Sequence, residues 1–250
     1  LPVIEHLHEA YQHCVESINC LSGSSTLCIV GVTMSTPLPA SEAAPRGRRS
    51  PRASGDERER AILATAERLL QERPLSAISV EDLARGAGIS RPTFYFYFPS
   101  KDAVLLTLVD RMVEAGAASR EEALAKLAEE PRAGWRMALQ ASFEAFGSRR
   151  AVILAAAELR TTNAEARELW SRVMEGWVSD VTEVIESERA RGVAPAGQPA
   201  RELAIALLQM NERAQYATFA GESPALAEDK ILDVLVDVWV RTIYGAAPEA

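Results

Sequence analysis

The segment from Ser90 to Lys101 sets the cations Arg91 and Lys101 among hydroxyl side chains and five consecutive aromatic rings, Phe94 to Phe98. A guanidinium or an ammonium binds a phosphate, and an exposed ring or a threonine methyl packs against a thymine methyl. Arg91, Thr93, Tyr95 and Tyr97 therefore suit contact with a polyanion that also carries flat apolar groups. Lys101 adds to this. It opens a helix after Pro99-Ser100, and a cation at the positive end of a helix dipole is disfavoured by a few tenths of a kcal/mol, about 0.3 or more. A phosphate at that place reverses the sign, because the helix N-terminus, the lysine and the Ser100 hydroxyl all favour an anion.

Other chemistry is closed off by where the scarce residues sit. The three Cys (Cys14, Cys20, Cys28) and three His (His6, His8, His13) all precede Met34. From Met34 onward no Ser-His-Asp or Cys-His pair and no ordinary zinc site can be assembled. The spacing of His6, His8, His13 and Cys14 matches no zinc pattern, so no metal is expected. Phosphate-binding glycine motifs are absent too, Gly86-Ala-Gly88 lacking its third glycine, so no nucleotide cofactor is expected. Acids such as Glu144, Glu158, Glu186 and Glu188 are plentiful, but no pair stands out, and an enzyme built on carboxylates is the weakest reading.

The net charge of −8 would by itself argue against a nucleic-acid partner. Its distribution does not. Residues 34–55 carry Arg46, Arg48, Arg49 and Arg52 against Glu42, for +3; residues 56–111 are near neutral at −1; residues 112–250 hold −7. A polyanion is expected near residues 46–111 and would be repelled by the remainder. Residues 1–33, which begin with Leu and hold no Lys or Arg, read as a non-native segment or an upstream extension of the reading frame. Residues 34–55, rich in Pro, Ser, Ala and Arg, read as a disordered basic arm.

The elements that carry these side chains are helical: every pattern beyond Asp56 has the helical period, and no strand alternation is convincing. Ile62, Ala66, Leu69 and Leu70 share one face of a first helix that runs to about Glu72, before Pro74. Ser79 caps a second helix, with Asp82 three residues on in a capping-box arrangement, and Ser90 caps a third with Pro92 in its first turn. Ala84 permits a close crossing, Gly88 makes the turn and Ile89 fills the space between, which is helix-turn-helix spacing. On the third helix Phe94 and Phe98 face the core, while Tyr95 and Tyr97 are left for a partner. Further helices are expected over about 101–129, 133–146, 149–160, 165–189, 200–219 and 227–244. The expected fold is all-α: a three-helix helix-turn-helix domain over 56–102, then a six-helix bundle over 103–250.

The run Ala61 to Ala66, Ile78 to Ala84 and Gly88 to Lys101 resembles the DNA-binding signature of the TetR family of bacterial one-component repressors. That resemblance implies a homodimer whose third helices enter successive major grooves, about 34–36 Å apart. It implies that Arg91, Pro92 and Tyr95 face base edges while Thr93, Tyr97 and Lys101 hold phosphates. Arg46, Arg48 and Arg49 of the arm and Ser79 early in the second helix join this DNA-binding set, whereas Glu81 departs from the family pattern.

The bundle supplies a regulatory half. Ten of the fourteen residues from Ile231 to Tyr244 are apolar, more than one buried face requires, so this helix needs cover on two sides. A dimer through the last two helices, about 201–219 and 227–244, would provide it. Trp170, Met174 and Trp177 fall on one helix face. The resemblance implies that Trp135, Phe146, Trp170, Met174, Trp177, Asn211 and Trp239 line a long apolar tunnel, with Asn211 as its polar anchor and with Ser142, Asp180, Leu208 and Tyr216 as departures particular to this chain. The expected function is repression of transcription by a cytoplasmic dimer that a small apolar ligand releases from operator DNA, without membrane association. The competing expectation is a helical carrier with no DNA role.

Overall fold

In a computed structural model, the described residues are 55–115, 123, 126, 127 and 129–245. Arg46, Arg48, Arg49 and residues 1–33 lie outside them. By contacts the chain divides into residues 1–50 and 51–250, and the second unit is the one described. Among the described residues there are nine α-helices and no strand: α1 Gly55–Glu72, α2 Val80–Gly86, α3 Arg91–Tyr97, α4 Lys101–Ala115, α5 Pro131–Ser148, α6 Arg150–Leu159, α7 Ala164–Ala190, α8 Ala200–Ala220 and α9 Ile231–Tyr244. None of these helices is long and apolar enough to cross a membrane.

Local chemistry accounts for most boundaries. Ser79 and Asp82 form the expected capping box at the start of α2, and Ser90 accepts from the Thr93 amide at the start of α3. Asn163, which begins α7, accepts from the Ala166 amide. Gly88 takes a φ of 67° in the turn between α2 and α3, a conformation that costs glycine nothing.

Several expected boundaries move. Pro131 does not merely end a preceding helix; it occupies the first turn of α5, where its missing N–H would be unpaired anyway. The helix expected over 101–129 is described as α4 to Ala115, with residues 116–122, 124, 125 and 128 outside the described set. The last helix starts at Ile231, four residues later than its periodicity suggested. There the Thr218 hydroxyl donates to the Leu226 carbonyl, holding the chain along the end of α8, and the Ala227 carbonyl closes a turn on the Lys230 and Ile231 amides. A one-turn 3₁₀ helix, Leu75–Ala77, had no expected counterpart.

The core of the three-helix helix-turn-helix domain, hereafter the reading unit, is not separate from the bundle. Ile62, Leu83 and Phe94 from α1, α2 and α3 join one buried cluster with Val104, Leu105, Leu108 and Val109 of α4 and with Val152, Ala155 and Ala156 of α6. Each of these side chains other than the alanines contributes about 1.5–3 kcal/mol by leaving water. A second cluster joins α5, α7, α8 and α9 around Trp135, Ile185, Leu207 and Trp239. A third, with Met112 of α4, Phe146 of α5, Ile153 of α6 and Phe219 of α8, lies at the junction. α4 thus belongs to both halves.

Candidate nucleic-acid interface and ligand cavity

α3 turns one face inward through Phe94 and presents Arg91, Pro92 and Tyr95 outward. The Arg91 guanidinium lies 5.8 Å from the centre of the Tyr95 ring and donates to its hydroxyl at 3.4 Å, which raises the Arg91 pKa above its ordinary value. The Thr93 hydroxyl pairs with that of Ser90 at 2.8 Å. The exposed aromatic pair differs from expectation: it is Tyr95, 46% exposed, and Phe96, 83% exposed. Tyr97 is half-buried against the reading-unit core, because α3 ends there and the chain turns inward to bury Phe98. The turn of about 100° per residue does point Tyr95 and Phe96 away from the face that Phe94 and Phe98 share, and the structure keeps both outside; what it changes is Tyr97.

Two of the expected phosphate or base contacts are engaged within the chain. The Ser79 hydroxyl donates to the Asp82 carboxylate at 2.7 Å and accepts from its amide at 3.1 Å. These bonds, with the Ser79 amide and then Arg73 and Arg85, hold the Asp82 carboxyl down to about 2. Lys101 is neither a solvated lysine nor simply an anion site. Its ammonium donates to the carbonyls of Leu75 and Ile78 at 2.7 and 2.9 Å, tying α4 to the 3₁₀ turn before α2. That partner 26 residues away leaves no trace in local sequence.

The bundle encloses a cavity of about 170 Å³. Trp135, Phe146, Trp177, Asn211 and Trp239 line it as expected, with Ser142, Asp180 and Leu208. Trp170 and Tyr216 line instead a second space of about 30 Å³, and the two share Phe146, Glu212 and Gln215 as a common wall. The expected single tunnel is therefore two spaces in this conformation. Met174 lines neither; it packs half-buried in the second cluster, while the ring contacts of Phe146, Trp170 and Trp177, at 5.8 to 6.4 Å, fill the junction.

Gln215 is the polar cavity residue that the sequence reading missed. It lies one turn beyond Asn211 and two beyond Leu208, on the stripe of α8 that also carries Glu212. A polar side chain on an otherwise buried stripe was the available signal. Glu212 is paired with Arg160 at 2.8 Å. Met112 and Val113, from the C-terminal part of α4, complete the wall on the side of the reading unit.

Comparison with known proteins agrees with this division. Residues 62–108 match the family described as bacterial regulatory proteins, tetR family, and residues 135–245 match the family described as transcriptional regulator EthR, C-terminal domain. The chain is 54% identical over 217 residues to the HTH-type transcriptional regulator EthR of Mycobacterium tuberculosis, covering 85% of this chain and 99% of that protein. To the HTH-type transcriptional regulator EthR of Mycolicibacterium smegmatis it is 46% identical over 204 residues, 82% of this chain and 94% of that one. The fatty acid degradation regulator FadR of Bacillus halodurans superposes with a TM-score of 0.59 at 17% identity, over 80% of this chain and 100% of that one, a likeness of fold. These matches fall among regulators of transcription and not among enzymes.

Proposed function

This chain belongs to the TetR family of transcriptional regulators, in its EthR group, and from that premise we propose that it represses transcription as a homodimer which a small, largely apolar effector releases from operator DNA. Arg91, Pro92 and Tyr95 of α3 read base edges, and Thr93 and Tyr97 hold phosphates. The remaining proton of Lys101, the Ser79 end of α2 and the basic arm with Arg46, Arg48 and Arg49 add to the electrostatic hold. The cavity of about 170 Å³ takes the effector.

The observation that carries this reading is the double membership of α4. Its residues Val104, Leu105, Leu108 and Val109 are buried in the core that positions α2 and α3, while Met112 and Val113, one turn on, form cavity wall. A ligand pressing on Met112 therefore moves the helix on which the reading unit rests. Asn163 reinforces the link: it caps α7 and also donates to Asp102 in the first turn of α4 at 3.2 Å. Occupancy then selects a conformer whose two reading units no longer match adjacent grooves.

The second copy has a place on the outward face of α9. Ile231, Leu235, Val236, Trp239 and Ile243 bury the other face within the chain, while Val234 stays 41% exposed and Val238 half-exposed. This supports a dimer through α8 and α9.

The reading is tested without knowing the effector. Ala138 lines the cavity, and Ala138→Trp fills it. In mobility-shift titrations on DNA flanking the protein's own gene, this variant should bind at least tenfold more weakly than the parent, with circular dichroism unchanged. A folded Ala138→Trp protein that binds this DNA as tightly as the parent would refute the coupling.

A further inference from the structure

Glu81 stands exposed in the first turn of α2, on the same outward stripe as Arg85, while Leu83 and Ala84 turn into the core. The fold does not require an acid there. The capping box is complete with Ser79 and Asp82, and the Asp82 carboxylate also pairs with Arg73 and Arg85. A first-turn acid gains a little from the helix dipole, but Asp82 already supplies that charge. Among the described residues the Glu81 carboxylate has no hydrogen bond or ion pair of its own. Its charge is felt at the start of α3, where the pKa of Arg91 is raised by the Tyr95 hydroxyl first and by Glu81 in addition.

A carboxylate in this place is costly to a protein that binds DNA. With the first residues of α3 at the base edges, α2 crosses the sugar-phosphate backbone, and an exposed acid in its first turn repels phosphates whatever the sequence. That cost is offset only where the groove presents a hydrogen-bond donor. On the major-groove edges the donors are the amines of cytosine and adenine. Adenine sets the acceptor N7 beside its amine, and a carboxylate has no proton to give it. Cytosine presents its amine alone. The forked donors of Arg91, for their part, match O6 and N7 of guanine. The two side chains together suit a cytosine and a guanine lying next to each other in the groove.

We propose that Glu81 is a specificity-determining residue of the DNA interface: it accepts from the N4 amine of a cytosine beside the base that Arg91 reads, and it weakens binding to all other DNA. The proposal rests on the reading of α3 as the base-reading helix. Repeated selection from random-sequence duplexes with the full-length parent protein first yields its preferred site. Fluorescence anisotropy then gives dissociation constants of the parent, Glu81→Ala and Glu81→Gln on that site and on an unrelated duplex. The same is measured on the site with 2-pyrimidinone in place of each cytosine in turn, which removes the N4 amine and leaves the paired guanine.

For the parent, one such replacement should weaken binding at least about tenfold, the effect of a single lost base contact. For Glu81→Ala the same replacement should make no difference. Both variants should bind the unrelated duplex about threefold more tightly or better, because a charge that repels phosphates is gone. The ratio of preferred to unrelated binding should fall at least about tenfold in Glu81→Ala. Glu81→Gln, whose amide both donates and accepts, should turn the preference at that position toward adenine. Circular dichroism should be unchanged in both variants, since Glu81 is exposed. An unchanged ratio in Glu81→Ala, or an equal loss from 2-pyrimidinone in Glu81→Ala and the parent, would overturn the role of Glu81 while leaving base reading by α3 standing. Selection that yields no preferred site would remove both.

Discussion

Gln215 holds an apparent contradiction at the scale of single residues: it is among the most buried polar side chains, and among the described residues its amide has no hydrogen-bond partner. Replacing such a group by an apolar one of similar size relieves its desolvation cost, so Gln215→Leu should raise the stability of the ligand-free protein by about 1–3 kcal/mol. Urea unfolding of the two proteins measures it, and a loss of stability would mean that Gln215 has a structural partner. Lys101 behaves in the opposite way. Lys101→Met leaves the Ile78 carbonyl without its ammonium donor and weakens the hold on Leu75, and should cost about 1–3 kcal/mol even without DNA. Thermal unfolding at low and high salt checks this; an unchanged melting temperature would return Lys101 to the surface. The type of Lys101 was informative in the sequence and its partner was not, because the two carbonyls belong to a turn more than twenty residues away.

At the scale of elements, the capping box of α2 gives the reading unit a pH dependence. Asp82 is held down to about 2 by the Ser79 hydroxyl and amide first, with Arg73 and Arg85 adding. A depressed carboxyl stabilises the folded state at every pH above its ordinary value near 3.9, and that contribution is lost as pH falls toward 2. The parent should therefore lose stability between about pH 4 and pH 2 faster than Asp82→Asn, as followed by acid titration of helicity. Equal slopes would show that the bond with Ser79 persists in the unfolded chain. Helix packing places a second constraint at Gly134. A Cβ there would meet the Leu127 backbone at 2.5 Å, so Gly134→Ala forces the backbone around Leu127 away from α5. The expected cost is about 3 kcal/mol, at the upper end for overpacking, and calorimetry would detect it. Capping signals such as Ser79, Ser90 and Gly88 are local and were legible. The close approach of Leu127 to Gly134 is a tertiary contact, and glycine inside a helical pattern reads the same with or without it.

For the whole molecule, the outward face of α9 is the proposed seat of a second copy. Val234→Glu places a charge on the outward face without touching Leu235, Val236 or Trp239, which are buried within the chain. It should leave the fold intact and shift the mass in sedimentation equilibrium from two chains to one, with operator affinity falling at least about a hundredfold because one reading unit is lost. A parent protein that sediments as one chain would exclude the dimer outright. The fused core makes a further statement at this scale. α4 carries both the buried support of α2 and α3 and the Met112 wall of the cavity, so the reading unit and the bundle share a beam and not a flexible linker.

Sequence alone determined what depends on near neighbours along the chain. The helical periods, the caps at Ser79 and Ser90, the turn at Gly88 and the grouping of Arg91, Thr93 and Tyr95 are written within a few residues of one another, as is the family signature that they compose. Tertiary structure alone decided what depends on residues meeting from distant segments: the engagement of Lys101 with Leu75 and Ile78, the partial burial of Tyr97, and the exclusion of Met174 from the cavity. It also decided that Gln215 is buried with no hydrogen-bond partner among the described residues. Burial and hydrogen-bond satisfaction are properties of the space around a side chain, and that space is filled by other helices whose arrangement no local spacing encodes.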